Sequence, residues 1–238
     1  VTDLRVSVVL PCFEEAEGLP DLVSSVRESL GAACAEIVIV ASAAGADGTV
    51  EVARGLARRD PIVRAVVQAR DDGGYGRALA IGLAVAREPW VLLMDADGQF
   101  DPREALRLLS LVDGADVVVG FRAPRRDPLG RRAAGAAYSA VLRAITRIPV
   151  RDFDCGFKLL RRELVEHAAI ASRTGVANAE ILSVARRSGA RIVETPVTHA
   201  PRRRGRARFE AGLGLPHPHE ALRMLGEALS LGWRLARP

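Results

Sequence analysis

Short runs of β-branched and other apolar residues alternate along the first half of the chain with longer stretches in which apolar residues recur every three or four positions. Val6 to Leu10, Glu36 to Ala41, Ile62 to Val67 and Trp90 to Met94 read as strands. Between them, Pro20 to Leu30 places Leu22, Val23, Val26 and Leu30 on one helical stripe, and Thr49 to Arg59 and Arg77 to Ala86 also read as helices. This strand–helix–strand progression predicts a largely parallel sheet flanked by helices. Further on, Ala115 to Gly120 and Arg191 to Val197 read as strands. Arg131 to Thr146, Leu159 to Ile170 and Ala179 to Arg187 read as helices. After Pro218, Leu222, Leu225, Leu229, Leu231 and Trp233 suggest a partly amphipathic terminal helix.

At 238 residues the chain is long enough for one α/β domain with a modest appendage, taken here as residues 1–212 followed by a helical extension, 213–238. Aromatic residues are only 4% of the sequence, so the core must be built from Val, Leu, Ile and Ala. The formal charge of +5 favours anionic partners without choosing among them, and Lys158 is the sole lysine among 34 basic residues. Cys12, Cys34 and Cys155 lack the close spacing of a thiolate metal site or a redox pair. No run of about 20 apolar residues occurs, so a cytoplasmic location is expected, with peripheral contact at the inner face of a membrane left open.

The strand at Trp90 runs directly into Asp95-Ala96-Asp97-Gly98-Gln99-Phe100-Asp101-Pro102. Loops at the carboxyl ends of parallel strands are where such sheets assemble ligand sites. Two carboxylates two residues apart can share a hard cation, and Gln99 adds a neutral oxygen at the next alternate position; Mg²⁺ or Mn²⁺ prefers such donors. Asp101, Pro102 and Glu104 match a helix start, with Asp101 as cap and Glu104 returning a bond to it. By itself Asp-x-Asp also fits an ordinary surface turn. The Gly74-Tyr75-Gly76 turn reads either as an approach of backbone amides to phosphate or as a simple strand-to-helix connection.

Several segments occur in one order: Val8-Val9-Leu10-Pro11-Cys12-Phe13-Glu14-Glu15, Asp47-Gly48-Thr49, Gly74-Tyr75-Gly76-Arg77-Ala78-Leu79, the Asp95–Pro102 run, and Val119-Gly120-Phe121-Arg122. They are followed by Arg151-Asp152-Phe153-Asp154-Cys155-Gly156-Phe157-Lys158, Glu180 and Pro196-Val197-Thr198. Together, over roughly residues 5 to 210, the chain resembles the family 2 glycosyltransferases of the GT-A fold, in particular the dolichol-phosphate (polyprenyl-phosphate) mannose or glucose synthases.

The resemblance implies a donor site at Pro11, Phe13 and Glu14, with Asp95, Ala96, Asp97 and Gln99 holding the metal and the donor diphosphate. Ser42 stands near the base, and Arg202 and Arg208 would close over the donor. It implies Arg122 and Arg131 as receivers of an acceptor phosphate, with Asp152 and Glu180 on the acceptor side; Asp97, Asp152 and Arg122 form the expected catalytic set. Each has a structural alternative. Arg131, Arg202 and Arg208 also fit a solvated basic face, Asp152 an ion pair with Arg122 or Arg151, and Glu180 the first turn of a helix. If the acceptor is a hydroxyl a base is needed, for which Asp152 is the first candidate and Asp154 its neighbour.

One departure stands out. The two aspartates usual at the end of the second strand are Ala41 and Ser42 here, which removes the carboxylate that normally receives donors from the base. The expected function is an inverting, metal-dependent transfer of a hexose from a nucleotide sugar to a polyprenyl-phosphate-like acceptor. The alternatives are transfer to a soluble hydroxyl acceptor and a non-catalytic binding protein of GT-A type. No specific nucleic-acid partner is expected, because the Arg202 to Arg208 run has only Phe209 beside it as an aromatic platform.

Overall fold

Seven strands form one sheet in a computed structural model that describes residues 4–123, 129–201, 210–211 and 215–237, without the side chains of residues 129, 131, 210–211 and 215–216. In chain order the elements are β1 (Val6–Cys12), α1 (Leu19–Leu30), β2 (Cys34–Ser42), α2 (Thr49–Arg59), β3 (Val63–Gln68), α3 (Tyr75–Val85) and β4 (Trp90–Leu93). They continue as α4 (Ala105–Leu109), β5 (Val117–Arg122), α5 (Leu129–Thr146), β6 (Lys158–Arg161), α6 (Val176–Arg187), β7 (Ile192–Val197), the short pair β8 (Glu210–Ala211) and β9 (Leu215–Pro216), and α7 (Pro218–Ala236).

The sheet order is β3-β2-β1-β4-β6-β5-β7, and every pairing is parallel except those of β6, which runs antiparallel to both β4 and β5. Alternate residues of the central strands enter two apolar layers. Val8, Leu10, Ile37, Ile39 and Leu92 pack with α1, α2 and α4, whereas Val9, Val38, Val40, Val91 and Leu93 pack with α3, α5, α6 and α7. Burial on both faces explains why these strands are apolar throughout rather than alternating.

Two sequence expectations are corrected. Leu159 to Ile170, read as a helix, opens instead with strand β6 and a single 3-10 turn at Arg162–Leu164. Leu159 and Leu160 are both buried, one in each apolar layer, a pattern that a short strand shares with a helix. Asp101 does cap the turn at Pro102 by accepting from the Arg103 amide, but Glu104 does not return a bond to it; its Oε1 accepts from the Thr198 hydroxyl at 2.8 Å.

The antiparallel course of β6 positions the site. Lys158 starts β6 opposite Leu93 at the end of β4 and opposite Val119 in β5, so the segment 151–157 that leads into β6 arrives at the carboxyl end of β4. The terminal helix α7 packs on α5 and α6, with Ala228 and Leu231 buried, while Leu222, Leu225, Leu229 and Trp233 stay exposed. Among the described residues no helix is long and apolar enough to cross a membrane.

Candidate active site

β4 ends in Met94, which is fully buried, and the chain then turns through Asp95 and Asp97. Gly98 takes a φ of 72°, a left-handed value that lets the loop reverse, and the Asp97 carboxylate accepts from the Gln99 amide at 3.1 Å. Asp95 is the more enclosed of the pair in its chemistry. Burial first, and the charge of Asp97 second, push its carboxyl up to about 7. Tyr75 opposes this by donating its hydroxyl to Asp95 Oδ1 at 2.8 Å. On the other side lies Gly156, where a Cβ would collide with the Asp95 carboxylate.

The segment that carries Gly156 is itself anchored from below. Lys158 is fully buried and its ammonium donates to the carbonyls of Phe153, at 3.3 Å, and Cys155, and to Asn178 Oδ1 at 2.9 Å. Three acceptors match the three protons of an ammonium, which explains a single lysine in a chain otherwise rich in arginine. Burial pulls the Lys158 pKa down, while the Cys155 thiol and the carboxylates of Asp152, Asp95 and Asp154 act in the opposite sense. Burial also pushes the Cys155 thiol up to about 12, and no disulfide joins the three cysteines, all of which are buried.

Arg122, at the end of β5, meets Asp152 in a two-pronged ion pair, Nε to Oδ2 at 2.7 Å and an outer nitrogen to Oδ1 at 2.8 Å. Both side chains are only 6% exposed. The same outer nitrogen reaches Asp154 at 3.3 Å, whose carboxylate is 44% exposed. Burial alone would lower the Arg122 pKa, but the hydrogen bonds and charge of these carboxylates hold it above the ordinary value. The structural alternative for Asp152, an ion pair with Arg122, is therefore the one the geometry presents. Asp154 is the carboxylate that faces outward.

Gln99 follows at the next turn of the loop. Its side-chain nitrogen donates to the Ala200 carbonyl at 2.8 Å while its main-chain carbonyl accepts from the Ala200 amide, so it pins the segment that leads toward Arg202. Glu180 is likewise engaged within the fold, accepting from the Ser172 amide at 2.8 Å and from Arg234 of α7 at 2.7 Å. At the other end of the site, the loop after β1 is stitched to the turn after β2. Asp47 accepts from the Ala16 and Thr49 amides and the Thr49 hydroxyl, and Thr49 Oγ1 accepts from the Glu15 amide. This sets Phe13 and Glu14 beside Gly45; Glu14 has a left-handed φ of 56°.

Ala41 is buried in the core, and Ser42 Oγ accepts from the Ala44 amide at 3.3 Å. Ser42, Ala43, Gly45, Asp47 and Thr49 line a cleft of about 280 Å³. In the Gly74-Tyr75-Gly76 turn the Gly76 amide is taken up within the fold, donating to the Arg173 carbonyl at 2.9 Å. Arg202 and Arg208, and the side chain of Arg131, lie outside the described residues. Sequence reasoning missed Tyr75, Gly156 and Lys158 as neighbours of Asp95. The lone lysine was the one signal that could have marked the last of them.

Among the described residues no cluster of three or more His, Cys, Asp or Glu side chains is arranged to hold a cation. The Asp95–Asp97 pair nevertheless fits one. Both are hard oxygen donors two residues apart, and part of what raises the Asp95 pKa, after burial, is the charge of Asp97, which a shared cation would relieve; substrate oxygens and water would complete its shell.

The mixed α/β sheet with paired carboxylates at the tip of a central strand is the arrangement expected of a nucleotide-sugar transferase. The Glycosyl transferase family 2 model matches residues 7–168, and the chain belongs to that family: it is a glycosyltransferase of GT-A architecture. It is 32% identical, over 87% of its own length and 91% of the relative's, to an uncharacterised glycosyltransferase of Mycobacterium tuberculosis. It is 30% identical to the polyprenol monophosphomannose synthase of Mycolicibacterium smegmatis, over 84% of this chain and 79% of that one. Among solved structures, glucosyl-3-phosphoglycerate synthase from Mycobacterium tuberculosis, in complex with Mn²⁺, UDP and glucosyl-3-phosphoglycerate, superposes with a TM-score of 0.69 at 20% identity. That match covers 98% of this chain and 80% of the other.

The expectation of a polyprenyl-phosphate acceptor is corrected here. The structure matched over nearly the whole chain is that of an enzyme holding a small soluble product. In addition, Arg122, assigned to the acceptor phosphate, is buried and engaged by Asp152 and Asp154.

Proposed function

We propose that the protein transfers a hexose from a nucleotide diphosphate sugar to the hydroxyl of a small soluble acceptor, with inversion at the sugar. The observation that carries this reading is the Asp95–Asp97 pair at the tip of β4, faced by the anionic segment 152–154 that the antiparallel β6 brings to it. Mg²⁺ or Mn²⁺ held by Asp95 and Asp97 would neutralise charge on the departing nucleoside diphosphate. The likeness to a UDP- and Mn²⁺-binding synthase supports both the donor class and the cation. The loop at Pro11, Phe13 and Glu14, with Ser42 and Ala96, forms the donor side, and Arg202 and Arg208 belong to the same proposal as groups that close over it.

A hydroxyl acceptor needs a proton taken from it. Asp154 suits this role better than Asp152, since it is half exposed and touches Arg122 through one oxygen only. Arg122 and Asp152 then act as a fixed scaffold, and Arg131 and Glu180 bound the acceptor side. The division into a domain at 1–212 and an extension at 213–238, and a cytoplasmic setting, are part of this reading.

The deciding experiment pairs several nucleotide sugars with a panel of soluble alcohols, including phosphorylated ones, and with polyprenyl phosphate, in Mn²⁺, reading products by mass. Transfer to a soluble alcohol is expected. Incorporation into lipid alone would overturn the proposal.

A further inference from the structure

Tyr75 lies in the first turn of α3, between two glycines whose bareness is required by what they touch. Gly74 has a left-handed φ of 123°, and a Cβ there would lie 2.7 Å from the Arg173 carbonyl oxygen. At Gly76 a Cβ would collide with the Ser172 carbonyl oxygen. The two glycines therefore let the start of α3 press directly on the segment 172–173, and the Gly76 amide bonds to it at 2.9 Å.

That segment is fixed in turn. Glu180 holds the Ser172 amide at 2.8 Å, and Glu227 of α7 accepts from the amides of Arg173 and Thr174 and from the Thr174 hydroxyl, at 3.1, 3.0 and 2.7 Å. From the other direction Gln68 donates to the carbonyls of Asp72 and Gly74, at 3.1 and 3.0 Å. The tyrosine between these anchors is part-buried, and its hydroxyl ends 2.8 Å from Asp95 Oδ1. Gly156 packs against the same carboxylate, so Asp95 meets one hydroxyl donor and one bare stretch of backbone.

We propose that Tyr75 is a positioning residue for the cation site: it fixes one oxygen of Asp95 and thereby aims the other at the ion shared with Asp97. This rests on the reading of Asp95 and Asp97 as cation ligands. Partners that hold a ligand's second atom set its orientation, and their loss costs about 10- to 100-fold in metal affinity. The arrangement also gives the two glycines a reason: they let the start of α3 close on the segment 172–173 and so seat the tyrosine between them.

The test is Mn²⁺ binding by calorimetry, with UDP present as the phosphate-bearing probe, to the wild type, Tyr75→Phe and Asp95→Ala. Phenylalanine fills the same space, so Tyr75→Phe is expected to keep the wild-type circular dichroism and bind Mn²⁺ about tenfold more weakly or worse. In turnover, its KM for Mn²⁺ should rise while kcat at saturating Mn²⁺ stays within about twofold of wild type, because the lost orientation is recovered by mass action. Equal Mn²⁺ affinity in wild type and Tyr75→Phe, with Asp95→Ala not binding, would overturn the role of Tyr75 and leave the cation site standing. If the wild type itself binds no Mn²⁺, the cation reading fails and the role of Tyr75 fails with it.

Discussion

The carboxyl of Asp95 is raised to about 7, first by burial and then by Asp97. A carboxyl raised in this way favours the fold while protonated and opposes it once ionised, so the metal-free protein loses stability as pH climbs from the ordinary carboxylate range toward about 7. Mn²⁺ binds the ionised form. Its thermal shift should therefore be larger at about pH 8 than at about pH 6, and equal shifts at the two would count against a raised Asp95. Replacing the neighbouring ligand, Asp97→Ala, is expected to lower kcat/KM on the order of 100-fold or more, the scale of several kcal/mol of lost charge stabilisation. At this scale the two aspartates were legible because they directly follow an apolar strand. Tyr75 and Gly156 were not, since their relation to Asp95 is made by α3 and by the reversal of β6, neither of which leaves a local pattern.

Between elements, α3 approaches the sheet closely at Gly82, where a Cβ would collide with Val9 of β1. Gly82→Ala should destabilise by about 1–3 kcal/mol in urea unfolding, although alanine is the better helix former, because overpacking outweighs the propensity gain. The Arg122–Asp152 pair joins β5 to the segment before β6, and Arg122→Met takes the guanidinium away from a carboxylate that is 6% exposed. A loss of about 3–5 kcal/mol is expected, and a double variant with Asp152→Leu should recover much of it. The alternation of strands and helices up to β4 could be read from the sequence because short apolar runs are separated by longer helical segments, α1 with its stripe of Leu22, Val23, Val26 and Leu30 being the plainest. β6 could not. Its first three residues, Lys158 to Leu160, are buried on both faces and followed by Leu164 and Val165, so their spacing fits a helical turn as well as a strand.

On the scale of the whole molecule, Asp95 and Asp97 belong to neither apolar layer, so the core is expected to hold when a cation is removed from them. Chelation should abolish transfer and lower the melting temperature while leaving the far-ultraviolet circular dichroism unchanged; unfolding on chelation would show a structural metal instead. The helix α7 is tied in by the Glu180–Arg234 contact and by Glu227, links that its amphipathic pattern did not reveal because they are polar.

Strand β6 is threaded between two strands that precede it in the chain. Without it, β4 and β5 would each keep an unsatisfied edge, and the sheet would divide into a four-stranded and a two-stranded parallel leaf. The segment that leads into it also carries Gly156 to Asp95, so a single seam both closes the sheet and completes the surroundings of that carboxylate.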